Sequence, residues 1–263
     1  MITTLHDLQP AFHTWLDEWH AAQGFESDYR VLADTLGLTV KAATRSMYDA
    51  ATQTIYIERN LHPLRERHEG LHEVTHHLFQ TAQAGAFHRA AQQLGKALKS
   101  RQDAEEGIVQ EASWRLLMPP HRVNEVCRVT TTDVEAMVQL ARMCRASFEF
   151  AAWRVAGTLT RPVRGVVLDS RGWVLASFGN NVGTAKYTPG RGFFVDAMHP
   201  LQQITETNQV VEFKAAIPFK RGRVGWRVSM EAWKDSKRFQ TLAVFDTRIS
   251  KNHGMEPLLE VDT

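Results

Sequence analysis

His72-Glu73-Val74-Thr75-His76 is the stretch on which the reading of this chain turns. On a helix of 3.6 residues per turn, positions 72 and 76 stand one above the other, so both imidazoles reach one ion while Glu73 lies beside it. HExxH in that setting is the signature of a catalytic divalent-metal site with the glutamate as general base. The flanks favour a helix. Pro63 suits a first helical turn, and Leu64, Leu71, Val74, Thr75, Leu78 and Phe79 supply a buried side running to about Gln80. His68 adds a third histidine one turn earlier and is read as a rim residue rather than a ligand. Gly70 costs about 1 kcal/mol relative to Ala inside a helix, which predicts that something packs closely on its backbone.

A catalytic zinc takes three protein ligands and leaves one position open, so a third His or carboxylate is expected on another helix. Residues 103–118 read as that helix, with Ile108, Val109, Ala112 and Leu116 on its apolar side and a stop at Pro119-Pro120. Spacing alone leaves Glu105, Glu106 and Glu111 in play, with Glu106 preferred and the other two read as solvated. Gln110 shares a face with Glu106 at i,i+4, within reach of the liganding carboxylate or of substrate.

These two helices resemble those of the ImmA/IrrE-like metallopeptidases, in which an HExxH helix precedes a helix of the form E-x-x-x-N followed by small residues and Leu-Leu-Met-Pro. Here Glu106-x-x-x-Gln110 precedes Leu116-Leu117-Met118-Pro119 at matching distance. The resemblance therefore selects Glu106 as third ligand. Gln53-Thr54-Ile55-Tyr56-Ile57 resembles the family's strand before the metal helix, and Arg65-Glu66-Arg67 its Arg-rich approach. Leu140-Ala141, Ala146-Ser147 and Arg154-Val155 resemble a helical segment of helix-turn-helix type. Two positions depart from the pattern: Gln110 replaces Asn, and Trp114 replaces a small residue. Neither is a ligand. Gly183-Thr184-Ala185-Lys186-Tyr187, His199-Pro200-Leu201 and Pro218-Phe219-Lys220-Arg221-Gly222-Arg223 extend the resemblance to the IrrE/PprI-type radiation-response regulators, whose last region is GAF-like.

Composition bounds the same reading. At 263 residues, with 43% hydrophobic and 23% charged, the chain is large enough for two or three domains around sizeable cores. A net charge of +2 implies no bulk affinity for nucleic acid or membrane. Residues 1–8 lack a cationic leader with an apolar core, and no run approaches the ~18 apolar residues of a membrane span, so a cytoplasmic location is expected. Cys127 and Cys144 stand far apart outside any C-x-x-C and are read as small buried groups of a reducing compartment.

The expected organisation is α+β. Residues 1–120 form a mainly helical, zincin-like HExxH metallopeptidase domain with a small sheet. Residues 121–160 form a helix-turn-helix-like segment, and residues 161–263 a sheet-rich GAF-like sensor domain. Strands are predicted over Gly165–Leu168, Trp173–Phe178, Phe213–Phe219, Trp226–Trp233 and Phe239–Phe245, with a helix near His199–Ile204 crossing their sheet. Arg142, Arg145 and Arg154 offer contacts for DNA phosphates, but without a basic stripe the segment reads first as scaffold, and direct DNA binding stays open. The basic positions Lys214, Lys220, Arg221, Arg223 and Arg227 read as solvated turns, and Trp226, Trp233 and Phe213 as core rather than a small-molecule or signal pocket.

The chemistry expected is peptide hydrolysis, with His72, His76 and Glu106 holding Zn²⁺, Mn²⁺ being compatible with the same donors, and Glu73 moving the proton. Tyr48, Tyr56 and His77 are the candidates for oxyanion donor, and the sequence does not choose among them. The resemblance implies a narrow protein substrate, an XRE-type helix-turn-helix repressor cleaved under DNA damage or radiation stress. The alternative is a non-proteolytic DNA-binding regulator with a structural metal.

Overall fold

A computed structural model describes residues 4–95, 101–180, 189–205, 207–217, 227–237 and 240–246. Seven helices and eight strands are assigned among them, an α+β arrangement with two sheets. They divide into two compact units: one takes the residues up to 122 together with 144–146, the other those of 123–143 and from 147 onward. No helix among the described residues is long and apolar enough to cross a membrane.

The first unit is built around the helix that carries HExxH. Helix α1 (Leu5–Ala22) starts at a capping box in which Thr4 Oγ1 accepts from Asp7 N and an Asp7 carboxylate oxygen accepts from Thr4 N. Its buried Leu8, Phe12 and Leu16 recur every four residues, the spacing of one helix face. Helix α2 (Tyr29–Thr35) and strands β1 (Thr39–Ala43), β2 (Met47–Asp49) and β3 (Thr54–Glu58) follow. The sheet order is β1-β3-β2, with β1 parallel and β2 antiparallel to β3. The middle strand buries Thr54, Ile55 and Ile57.

Helix α3 (Pro63–Gly95) and helix α4 (Arg101–Leu117) complete the unit. The sequence places the end of the first near Gln80, and the helical backbone does break there: Ala82 is extended, and Gln83, Ala84 and Gly85 have φ of 48°, 53° and 80° before helix resumes. Leu71, Val74, Thr75, Leu78 and Phe79 are buried as expected. The close neighbour predicted at Gly70 is Tyr29 of α2, since a Cβ at position 70 would lie 2.2 Å from Tyr29 Cγ. The same ring donates its hydroxyl to Glu66 at 2.8 Å, so α2 grips two successive turns of α3. Residues 144–146 join this unit through Arg67, whose guanidinium donates to Ser27 O at 3.0 Å and Cys144 O at 2.6 Å.

The second unit layers helices on an antiparallel sheet. Helix α5 (Pro120–Val129) runs in from the boundary, followed by α6 (Asp133–Met143) and α7 (Phe148–Ala156). Thr132 Oγ1 accepts from Glu135 N at 3.2 Å and caps α6, and Ser147 Oγ accepts from Phe150 N at the start of α7. Strands β4 (Val163–Leu168), β5 (Val174–Gly179), β6 (Val210–Ala216), β7 (Arg227–Lys234) and β8 (Thr241–Asp246) form a sheet of order β5-β4-β8-β7-β6. Helices α6 and α7 pack on one face, where Trp233 meets Phe148 edge-on at 5.2 Å between centroids and lies under the Arg142 guanidinium. Met230 and Ala232, on alternate positions of β7, bury the other face with Val166, Leu168, Ala243 and Phe245.

Several expectations change. No helix crosses the sheet at 199–204: this stretch is a chain of turns, with Gln202 N bonded to His199 O and Gln203 N to Pro200 O, and it still buries Leu201 and Ile204 against the sheet. Pro200 keeps His199 out of helical backbone, and beyond it the bonds at Gln202 and Gln203 close single turns that do not continue into a helix. Cys127 is exposed, whereas Cys144 is buried. Arg154 is buried and so does not face solvent as a phosphate contact. Trp233 is core, while residues 183–187 and 218–223, Trp226 and Phe239 lie outside the described residues.

Candidate metal centre

The antiparallel passage of α4 across α3 brings side chains together in rungs. His68 faces Gln110, His72 faces Glu106, and His76 faces both Glu105 and Glu106. Four-residue spacing on α3 sets the three histidines on one side. Ile108, Val109 and Ala112 bury the apolar side of α4, which leaves Glu106 to turn toward the histidines.

The middle rung is a donor triangle. His72 Nε2 lies 3.1 Å from Glu106 Oε1, His76 Nε2 lies 3.3 Å from Glu106 Oε2, and the two imidazole nitrogens are 3.2 Å apart. Each residue offers one ligand atom, and these atoms lie within 4.8 Å of one another. Donors held about 2.0–2.1 Å from a tetrahedral centre stand about 3.3 Å from each other, which the His72–His76 separation matches, while the Glu106 carboxylate faces the pair with one oxygen toward each imidazole. Two imidazole nitrogens and one carboxylate are also the donor types that zinc and manganese accept. His72 is 9% exposed at its side chain and Glu106 50%, so the triangle opens on the carboxylate side.

Electrostatics mark the site as strongly coupled. Burial alone would lower His76, but hydrogen bonds with Glu105 and Glu106 outweigh it and raise His76 to about 9 in the metal-free protein. Hydrogen bonds with His72 and His76 hold Glu106 well below the usual carboxylate range. Glu73 is buried beside His72 and His76, and desolvation pushes its carboxyl up against their opposing pull. Its carboxyl is therefore easier to protonate than a solvated glutamate.

The flanking rungs revise the sequence reading. Glu105, read as solvated, is only 19% exposed and accepts from His76 Nδ1 at 3.2 Å and from Gln80 Nε2 at 3.0 Å. The missed signal lies in His76 itself: a ligating imidazole has a second nitrogen that needs a partner. Glu111, also read as solvated, accepts from Gln9 of α1, and half of its side chain stays exposed. Gln110 pairs with His68 Nε2 at 3.0 Å, and His68 is buried rather than at a rim, its pKa lowered to about 4 by burial. Of the three oxyanion candidates, Tyr48 and His77 bond each other at 2.8 Å, while Tyr56 is half-buried in β3.

Comparison with known proteins agrees with this architecture. Residues 27–156 match the model of the IrrE N-terminal-like domain, Peptidase_M78. No curated protein gives a significant match. A solved structure described as a Mycobacterium tuberculosis transcriptional regulator is similar in fold, with a TM-score of 0.55 at 14% identity over 92% of this chain and 76% of that one. The donor triangle and the two helices that carry it both lie inside the matched stretch, and residues 27–156 of this chain are an IrrE N-terminal-like domain of the ImmA/IrrE peptidase family.

Proposed function

We propose that this chain is a metal-dependent, site-specific endopeptidase whose metal ligands are His72, His76 and Glu106 and whose general base is Glu73. The observation that carries the reading is the cluster of His72, His76 and Glu106, with nitrogen–nitrogen and nitrogen–oxygen contacts of 3.1–3.3 Å, and a buried glutamate next to it. Zinc is the default ion and manganese the alternative. When bound, such an ion polarises a carbonyl and makes water more acidic. Glu73 takes the proton of the attacking water and returns it to the leaving amine, which its raised pKa favours. A purely structural site has no use for a buried carboxyl at that place.

The substrate proposed is an XRE-type helix-turn-helix repressor, cut in the cytoplasm so that genes of a DNA-damage or radiation stress response are released. The second unit is read as a GAF-like sensor that conditions the cut, and the sheet layered against α6 and α7 supports a sensor-like module. The burial of Val134, Met137, Leu140 and Ala151 on those helices favours their role as scaffold over direct DNA contact.

The test is mapping of new peptide termini after incubating zinc- or manganese-loaded protein with its host's soluble proteome. One repressor-like protein should be cut by the wild type and not by Glu73→Gln, which keeps its metal but loses at least about 100-fold in rate. Identical termini in the two samples, with metal bound in both, would overturn the peptidase reading.

A further inference from the structure

The geometry points to Glu105 as a positioning residue for the metal centre: it holds His76 by Nδ1, so that Nε2 faces Glu106 and His72. This inference rests on the metal reading above and deepens it. His76 has two ring nitrogens, and the structure divides them between neighbouring glutamates. Nε2 faces Glu106 Oε2 at 3.3 Å, and Nδ1 faces Glu105 Oε1 at 3.2 Å. A ring that donates from Nδ1 to a carboxylate is fixed in the tautomer whose Nε2 lone pair is free for an ion.

Glu105 is itself held in place. Gln80 Nε2 donates to the same oxygen at 3.0 Å, and His88 Nδ1 stands 3.4 Å from the other oxygen as an electrostatic neighbour without a hydrogen bond. Gln80 precedes the break in α3 and His88 follows it, so both halves of that helix converge on this carboxylate. The support is one-sided, because the buried Nδ1 of His72 has no hydrogen-bond partner among the described residues. Gln110, the residue that helical spacing offers for this task, bonds His68 instead. Orientation of the ligand pair therefore depends on Glu105 more than on any other outer contact described.

The experiment is zinc affinity of the full chain by chelator competition for wild type, Glu105→Ala, Glu105→Gln and Glu106→Ala, with thermal unfolding of each metal-free protein alongside. Glu105→Ala should bind zinc about 10–100-fold more weakly. Glu105→Gln, whose amide oxygen still accepts from Nδ1, should fall between it and wild type, and metal-free unfolding should change little. In the cobalt-loaded protein, the exchangeable imidazole N–H signal of His76 should be lost to solvent exchange in Glu105→Ala. Affinity within twofold of wild type in both Glu105 variants, with Glu106→Ala weakened, would overturn the role of Glu105 and leave the metal reading standing. If wild type and Glu106→Ala bind zinc equally weakly, the metal reading falls and this inference with it. Should Glu105→Ala fail to fold, the isosteric Glu105→Gln decides: an unchanged affinity there overturns the proposal.

Discussion

At the scale of single residues, His76 is where charge, fold and ion compete. Its pKa in the metal-free protein is raised to about 9, above the ~6.5 of a free imidazole. Its charged form therefore stabilises the metal-free fold fully below about 6.5, and that contribution is lost as pH rises through about 9. The stability gap between metal-free wild type and His76→Ala, read by urea unfolding, should narrow over that window. An ion needs the neutral ring, so zinc uptake at pH 7 should release about one proton. Titration calorimetry in two buffers of different ionisation enthalpy measures that number, and zero would mean that His76 is already neutral. That His72 and His76 share one helix face was legible in the sequence, because i,i+4 spacing is a property of the chain alone, whereas Glu106 came from the family resemblance. Glu105 was not legible, since its role depends on how α4 crosses α3, and adjacent glutamates on a helix look alike until a partner helix separates them.

At the scale of elements, the break in α3 is the feature that local propensity hides. Gln and Ala favour helix, yet Gln83 and Ala84 sit at positive φ. Ala84→Gly should stabilise the protein by up to about 1 kcal/mol by relieving left-handed strain. Gly85→Ala should cost about 1–2 kcal/mol at φ 80° with Gln80 O only 3.1 Å from the new Cβ. Urea unfolding of the pair checks both signs, and reversed signs, with Ala84→Gly destabilising and Gly85→Ala stabilising, would mean that the break closes into helix in solution. Gly70→Ala should be destabilising by about 1–3 kcal/mol, because its methyl would enter the Tyr29 ring. That contact was foreseen as a need without an author: a glycine inside a helix announces a close neighbour, but not which one. The strands of the second unit were read from alternation, whereas β2, at three residues, is too short to alternate. Where a helix was expected at 199–204, successive turns bury Leu201 and Ile204 against the sheet just as well.

At the scale of the whole molecule, a continuous sequence does not map onto continuous units. The chain leaves the first unit after 122, returns for 144–146, and leaves again. Periodicity could not reveal this, because it reports the face of an element and not the unit to which a turn belongs. The half-buried Arg67 side chain donates to Cys144 O as well as to Ser27. A fragment ending at 122 lacks that acceptor, and it should unfold about 1–3 kcal/mol more easily than the corresponding part of the full chain. Hydrogen exchange of the α3 amides in both proteins measures the difference, and equal protection would make the return stretch dispensable. The return stretch also limits how the gene can be cut and joined. No single pair of endpoints frees the first unit whole without carrying 123–143 along, so swapping this peptidase part between relatives calls for transplanting the three-residue stretch 144–146 together with it.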